Sequence, residues 1–302
     1  MASPIPEQTV RAARTAALAR LRETSPSAAL DADLLLCATL GIGRAALLAD
    51  LDRAFPPDAA ARFAQWLERA ADGEPIAYLL GTRAFHTLDL AVSPAVLVPR
   101  PETEHLLEAA LAWAHLHPQP VGEDGFYAAD IGTGSGALAV AFAHASTRAF
   151  AHPAVRIAAV DVSADALAVA RLNAERTGAG GQIVFYTGDL LEPLIGRGLR
   201  VRVLMANLPY IPSAEVDRLP VARHEPRQAL DGGPDGLLLI RRLLADAPRV
   251  LAPPAGVFLE IGADQGEAAA RLTAEALPGA HVAVLRDYAG HDRVIAAAWE
   301  GV

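Results

Sequence analysis

From residue 126 onward, short apolar runs alternate with helix-length segments, and few architectures accommodate that order. The runs occupy residues 126–131, 156–160, 182–187, 201–206, 256–261, 281–285 and 293–298. Segments with Ala and Leu at helical spacing stand at 135–146, 163–177, 236–251 and 264–277. Strands separated by helices pair mostly in parallel, and the helices cover both faces of the sheet. Right-handed crossovers then give an open doubly wound α/β sheet that receives ligands at the carboxyl ends of its strands.

The first 80 or so residues read differently. Helical spacing of Ala and Leu runs through 10–21 and 29–40, with no strand-like alternation. Ser25-Pro26 predicts an N-cap followed by proline in the first turn, and Gly41 a stop. Pro56-Pro57-Asp58 opens another helix carrying Phe63, Trp66 and Leu67 on one side. The expectation is a small helical bundle over residues 1–84. It could dock a protein substrate, although no residue-level signature marks that role.

Between 85 and 99 the period shortens. Phe85, Leu88, Leu90 and Val92, then Val96 and Val98, approach strand alternation around Ser93-Pro94. A hairpin linker is expected there, leaving residues 100–302 as the second domain. Arg100-Pro101-Glu102-Thr103-Glu104 opens its first helix, with proline and acidic residues suited to the positive end of a helix dipole. Leu106, Leu107, Ala110, Leu111 and Ala114 form the expected buried stripe.

Composition removes several chemistries. All cationic residues are arginine, so Schiff-base lysines, pyridoxal enzymes and lysine-bearing phosphate loops are excluded. Cys37 is the one cysteine, which rules out an internal disulfide and makes it a small buried hydrophobe in expectation. His86, His115, His117 and His144 lack ligand spacing, and no metal is expected. Neither a membrane span nor a signal peptide is legible, so the expected location is cytoplasmic. A net charge of −9 argues against general affinity for nucleic acid.

Asp130-Ile131-Gly132-Thr133-Gly134-Ser135-Gly136 sits where the first strand of the alternating region turns into a helix. Glycines there allow a tight turn and close approach of backbone N–H groups to a ligand. Asp130 can meet a cationic amino-acid moiety. Asp161, at the end of the second run, can take both hydroxyls of a ribose. Asp189-Leu190, after the third, can meet an adenine ring through one polar and one apolar contact. A ribose, an adenine and a charged amino-acid tail together describe S-adenosylmethionine, with NAD as the competing ligand.

Asn207-Leu208-Pro209-Tyr210 follows the fourth run. A primary amide is a poor nucleophile because its lone pair is delocalised. Two acceptors, the side-chain oxygen of Asn207 and the carbonyl of Leu208, could grip its two hydrogens and aim the nitrogen at a methyl donor. Pro209 would hold the turn and Tyr210 cover the planar substrate face. Alignment of this kind can supply up to ~7–11 kcal/mol of a barrier, so no strong base is required.

The chain resembles the N5-glutamine methyltransferases that modify peptide-chain release factors. The likeness rests on Glu74-Pro75-Ile76-Ala77-Tyr78-Leu79 with Gly81, on Val98-Pro99-Arg100-Pro101-Glu102-Thr103-Glu104, and on the 130–136 and 207–210 segments. It extends through His224-Glu225-Pro226, Ala229-Leu230-Asp231-Gly232-Gly233 and Asp235-Gly236 to Arg286-Asp287-Tyr288 and Asp292-Arg293. The resemblance implies a helical docking domain, a hairpin and a seven-stranded Rossmann-like methyltransferase domain. It further implies donor contacts at Gly132, Thr133, Gly134, Ser135, Gly136, Asp161, Leu190 and Asn207. The implied acceptor is the glutamine of a Gly-Gly-Gln loop in a release factor. A monomer with no direct nucleic-acid partner and no membrane partner is expected.

One departure stands out: the family's tetrapeptide usually reads Asn-Pro-Pro-Tyr, and here Leu208 takes the second place. The Asn-Leu-Pro-Tyr spelling is also typical of ribosomal-RNA adenine dimethyltransferases. Adenine N6 of RNA or DNA therefore remains an alternative acceptor. A non-catalytic protein that keeps the donor-binding fold is a second alternative.

Overall fold

A computed structural model describes residues 9–118, 126–149 and 155–301. The chain divides into two compact units between Gly81 and Thr82.

The first unit is helical: α1 (Val10–Leu21), α2 (Ala28–Leu40), α3 (Arg44–Ala49), α4 (Pro57–Ala71) and α5 (Ile76–Leu80). Its core gathers Val10, Ala17, Leu21, Leu35, Leu36, Leu47 and Phe63. Cys37 is only partly buried at its edge. α2 begins at Ala28, two residues beyond Pro26. Ser25 Oγ accepts from the Ser27 N–H at 3.0 Å and reaches Asp31, so Ser25-Pro26 builds the turn that precedes the helix. Gly41 ends α2 at φ 67°, as a left-handed cap requires.

The second unit opens with the hairpin β1 (Thr82–Phe85) and β2 (Leu88–Ala91). Its turn is His86-Thr87, with His86 at φ 53°, so the chain reverses earlier than the Ser93-Pro94 signal suggests. The hairpin lacks the Asn-Gly or Asp-Gly pair that would have marked it. Val96 and Val98 are buried without joining a strand. α6 (Thr103–Leu116) follows, then β3 (Phe126–Ile131), α7 (Ala137–Ala149), β4 (Arg156–Asp161), α8 (Ala164–Arg176) and β5 (Ile183–Thr187). The remainder is α9 (Glu192–Ile195), β6 (Val201–Ala206), α10 (Ser213–Val216), α11 (Leu238–Asp246), β7 (Leu251–Glu260), α12 (Gly266–Ala276), β8 (His281–Arg286) and β9 (Asp292–Trp299).

The seven sheet strands lie in the order β5-β4-β3-β6-β7-β9-β8, with β9 antiparallel to both neighbours. Residue alternation explains why the strands read as unbroken apolar runs. On β6, Leu204 and Ala206 join a core on one face, while Val203 and Met205 join the core on the other. Leu106 and Phe142 of α6 and α7 fill the second core, and Ile240, Leu243 and Ala269 of α11 and α12 fill the first. β7 starts at Leu251, earlier than its apolar run, because a register shift opposite Val201 and Val203 admits Pro253 and Pro254 at the ladder's beginning. Among the described residues, no helix is long and apolar enough to cross a membrane.

Candidate active site

Strand order reverses at β3, between β4 and β6, and a crevice at such a point is where doubly wound sheets take their ligands. Ile131 and Ala206 are register partners, so Gly132 and Asn207 leave the sheet side by side. A Cβ at Gly132 would lie 3.0 Å from Leu208 Cδ2 and 3.8 Å from the Asn207 carbonyl oxygen, and Gly132 has φ 72°. The glycine turn and the tetrapeptide are therefore in contact. A cavity of about 340 Å³ opens above them.

One wall is the glycine turn itself. The Gly132 and Thr133 N–H groups donate to the Val160 carbonyl at 2.8 and 3.0 Å, binding the turn to the end of β4. Asp130 is buried beneath it. Its Oδ2 accepts from Thr133 Oγ1 at 2.6 Å and from the Ala139 N–H at 3.0 Å, while Oδ1 is buried without a partner. Burial pushes its carboxyl up to about 6, with the Asp161 charge adding to the rise and those two hydrogen bonds opposing it. A buried carboxylate oxygen lacking a donor at a cavity wall suits a cationic ligand group.

Asp161 closes β4 and lines the same cavity. Its Oδ2 accepts from the Gly134 N–H and its Oδ1 from the Ser163 N–H, both at 2.9 Å. Each oxygen keeps a further lone pair for a vicinal hydroxyl. Burial raises its carboxyl above the ordinary range. Gly188, Asp189 and Leu190 form the next stretch of wall, where Leu190 adopts the left-handed φ of 47°. Asp189 is half exposed and paired with Arg242 at 2.5 Å. The neighbouring Arg241 pairs likewise with Asp235.

Asn207, Leu208 and Pro209 line the cavity opposite the turn. Asn207 Nδ2 donates to Thr103 Oγ1 at 2.9 Å. Among the described residues, neither Asn207 Oδ1 nor the Leu208 carbonyl has a hydrogen-bond partner. Leu208 is buried, with its side chain against Gly132. Tyr210 is not among the lining residues. Its hydroxyl donates to Glu260 Oε1 at 3.3 Å, and its carbonyl accepts from Gln265 Nε2 at 2.9 Å. Burial and the Glu260 charge push its hydroxyl far above the ordinary phenol range.

The segment from Glu225 to Gly236 laces onto the tetrapeptide. Ile211 N–H donates to the Leu230 carbonyl at 3.1 Å and Gly232 N–H to the Ile211 carbonyl at 2.8 Å. A Cβ at Gly236 would fall 2.2 Å from the Tyr210 carbonyl oxygen, and one at Gly232 2.6 Å from that of Pro209. Glu225 is buried, accepting from the Val98 N–H at 3.1 Å and pairing with Arg100 at 2.5 Å. Arg100, Val96, Pro226 and Gln228 all contribute to the cavity wall.

Spacing arguments missed Thr103, Glu225, Glu260, Gln265 and Asn173. Asn173 on α8 accepts from the Ala91 N–H at 2.6 Å and donates to the Ala91 and Ser135 carbonyls at 2.9 and 2.8 Å, joining the hairpin to the glycine turn. The signal for Thr103 and Glu225 lay in the Pro-Arg-Pro-Glu-Thr and His-Glu-Pro blocks, and Glu260, Gln265 and Asn173 carried none.

The chain is similar to known proteins in both of its units. Residues 12–81 match the PrmC N-terminal domain, and residues 105–218 match an RMKL-like methyltransferase domain. The release factor glutamine methyltransferase of Moorella thermoacetica is 44% identical over 87% of this chain and 89% of its own. That of Bacillus subtilis is 40% identical over 88% and 90%. The catalytic domain of hMettl16 shares the fold, with a TM-score of 0.52 at 12% identity over 81% of this chain and 83% of that one. By its sequence across both units, the chain belongs to the release factor glutamine methyltransferases.

Proposed function

We propose that the protein transfers a methyl group from S-adenosylmethionine to the side-chain amide nitrogen of the glutamine in the Gly-Gly-Gln loop of peptide-chain release factors. The observation that carries this reading is the pairing of two unengaged acceptors, Asn207 Oδ1 and the Leu208 carbonyl, with a glycine turn in direct contact. Two acceptors match the two hydrogens of a primary amide. Bound at the turn, S-adenosylmethionine supplies an electrophilic methyl carbon on a sulfonium sulfur. Asp130 Oδ1 suits its ammonium group, Asp161 its ribose hydroxyls, and Asp189 with Leu190 its adenine.

The chain's own residues contribute alignment and exclusion. Asn207 and Leu208 hold the amide plane and direct the nitrogen lone pair at the turn. Pro209 fixes the carbonyl of Leu208, and Tyr210, anchored through Glu260 and Gln265, stiffens the exit of the turn. The bound donor would supply its methyl carbon to the nitrogen that Asn207 and Leu208 hold and would leave as the thioether, with the nitrogen giving up one proton. The helical unit serves as the docking element for the release factor.

Mass mapping of a purified release factor after incubation with enzyme and S-adenosylmethionine tests the assignment. One added methyl on the Gly-Gly-Gln glutamine is expected. Labelled methyl on free RNA or DNA, with none on the release factor, would replace the acceptor by adenine.

A further inference from the structure

We propose that Arg100 binds the carboxylate on the amino-acid tail of the methyl donor, and so selects donors that carry one. This rests on the reading that the glycine turn binds S-adenosylmethionine. That molecule brings two positive groups, its sulfonium and its ammonium, and one negative group, its α-carboxylate. Asp130 Oδ1 suits the ammonium, but the carboxylate hangs on the same carbon and faces the Asp130 charge. Arg100 is the only cationic side chain among the described residues lining the cavity, against Asp130, Asp161, Asp189 and Asp231. It alone on that wall offers a carboxylate the opposite charge.

Its place in the fold fits the task. Asp130 on β3 is the register partner of Met205 on β6, just ahead of Asn207. Asn207 Nδ2 donates to Thr103 Oγ1 at 2.9 Å, so the start of α6 lies at the carboxyl ends of β3 and β6. The Thr103 N–H donates in turn to the Arg100 carbonyl at 3.1 Å, in the turn that leads into α6. Arg100 therefore enters the cavity from the strand ends that carry Asp130 and the glycine turn.

The guanidinium is also held in advance. Its Nη2 donates to Glu225 Oε2 at 2.5 Å, and Glu225 Oε1 accepts from the Val98 N–H at 3.1 Å. The Glu225 side chain is fully buried, whereas that of Arg100 keeps 35% of its surface exposed. Arg100 Nε and Nη1 have no hydrogen-bond partner among the described residues. A guanidinium is always charged and carries several N–H donors in one plane, so engaging Nη2 with Glu225 leaves an edge for a second carboxylate. Fixing that edge beforehand reduces the side-chain entropy lost on binding. A residue that merely joined the 96–100 loop to the 225–236 segment would need only the Nη2 contact and would confer no preference between ligands.

Calorimetric titration of the full chain with S-adenosylmethionine and with its decarboxylated form provides the test. The two ligands share sulfonium, amino group, ribose and adenine, and differ only in the carboxylate. The wild type should bind S-adenosylmethionine about 10–100-fold more tightly, the range of a hydrogen bond to a charged group. Arg100→Gln should lose that factor for S-adenosylmethionine, while its affinity for the decarboxylated form stays within about twofold of wild type. If the lost charge beside Glu225 prevents folding, the double variant Arg100→Gln/Glu225→Gln removes both charges together and should show the same selective loss. Equal losses on both ligands, or a variant that keeps the wild-type preference, would overturn the assignment and confine Arg100 to joining the two loops. Equal binding of both ligands by the wild type would overturn it as well, and leave the donor site itself standing. A wild type that binds neither ligand would remove the donor reading, and this assignment with it.

Discussion

Asp130 gives the site its clearest electrostatic signature. Burial pushes its carboxyl up to about 6 from the ordinary 3.8, against the opposing hydrogen bonds from Thr133 and Ala139. The folded chain therefore keeps a proton that the unfolded chain has released between those values. Stability from this group falls as pH rises from about 4 to about 6, by an amount on the order of 2–3 kcal/mol. Asp130→Asn should flatten that part of the urea-denaturation profile and raise stability at neutral pH. A cationic ligand group reverses the preference by favouring the charged form. Calorimetric affinity for S-adenosylmethionine should accordingly rise with pH up to about 6 and then level off. Asn207→Ala should lower kcat by ~10²–10³ with circular dichroism unchanged, as for loss of a transition-state hydrogen bond. Near-normal turnover in that variant would take Asn207 out of the chemistry. Residues of this kind were legible because each is local: an acid beside a glycine turn, an asparagine at the end of an apolar run. Thr103 was not, since it reaches Asn207 across 104 positions of sequence, and no periodicity encodes a contact of that range.

At the scale of elements, the strands were legible because they are buried on both faces, so their apolar runs are unbroken. The hairpin was less so. Its turn residue His86 holds a positive φ that histidine seldom adopts, and Leu88 and Leu90 fit either end of the alternation. What fastens the hairpin is Asn173, whose amide satisfies both the N–H and the carbonyl of Ala91 and reaches Ser135 besides. Asn173→Ala leaves these buried groups unpaired and should destabilise the second unit by about 2–4 kcal/mol, read from urea unfolding. Donor affinity should fall with it, because Ser135 belongs to the glycine turn. The Glu225–Gly236 segment depends on close backbone approach. Gly236→Ala would press a methyl into the Tyr210 carbonyl at a residue already at φ 75°, and should reduce turnover through displacement of the tetrapeptide. Unaltered turnover there would mean that the segment does not hold the turn in place.

Across the whole molecule, the cavity belongs to one unit. Every residue lining the cavity lies between Ala95 and Leu239, within the second unit. Residues 82–302 expressed alone should therefore bind S-adenosylmethionine with affinity close to that of the intact chain. If the helical unit docks the release factor, that shortened chain should show a raised KM for the release factor and an unchanged KM for a short Gly-Gly-Gln peptide. Equal losses on both substrates would assign the helical unit a purely stabilising role. The helical bundle was legible as a bundle, but its task was not, because Ala–Leu spacing specifies packing and carries no information about a partner.

Leu208 resting on Gly132 has an evolutionary corollary. A ring at position 208 would rigidify the backbone but leave the floor of the crevice less filled, whereas leucine secures the loop by occupying that space. Lineages can drift between the two spellings only while position 132 stays without a side chain. Any homologue carrying alanine there should have exchanged its leucine for something smaller.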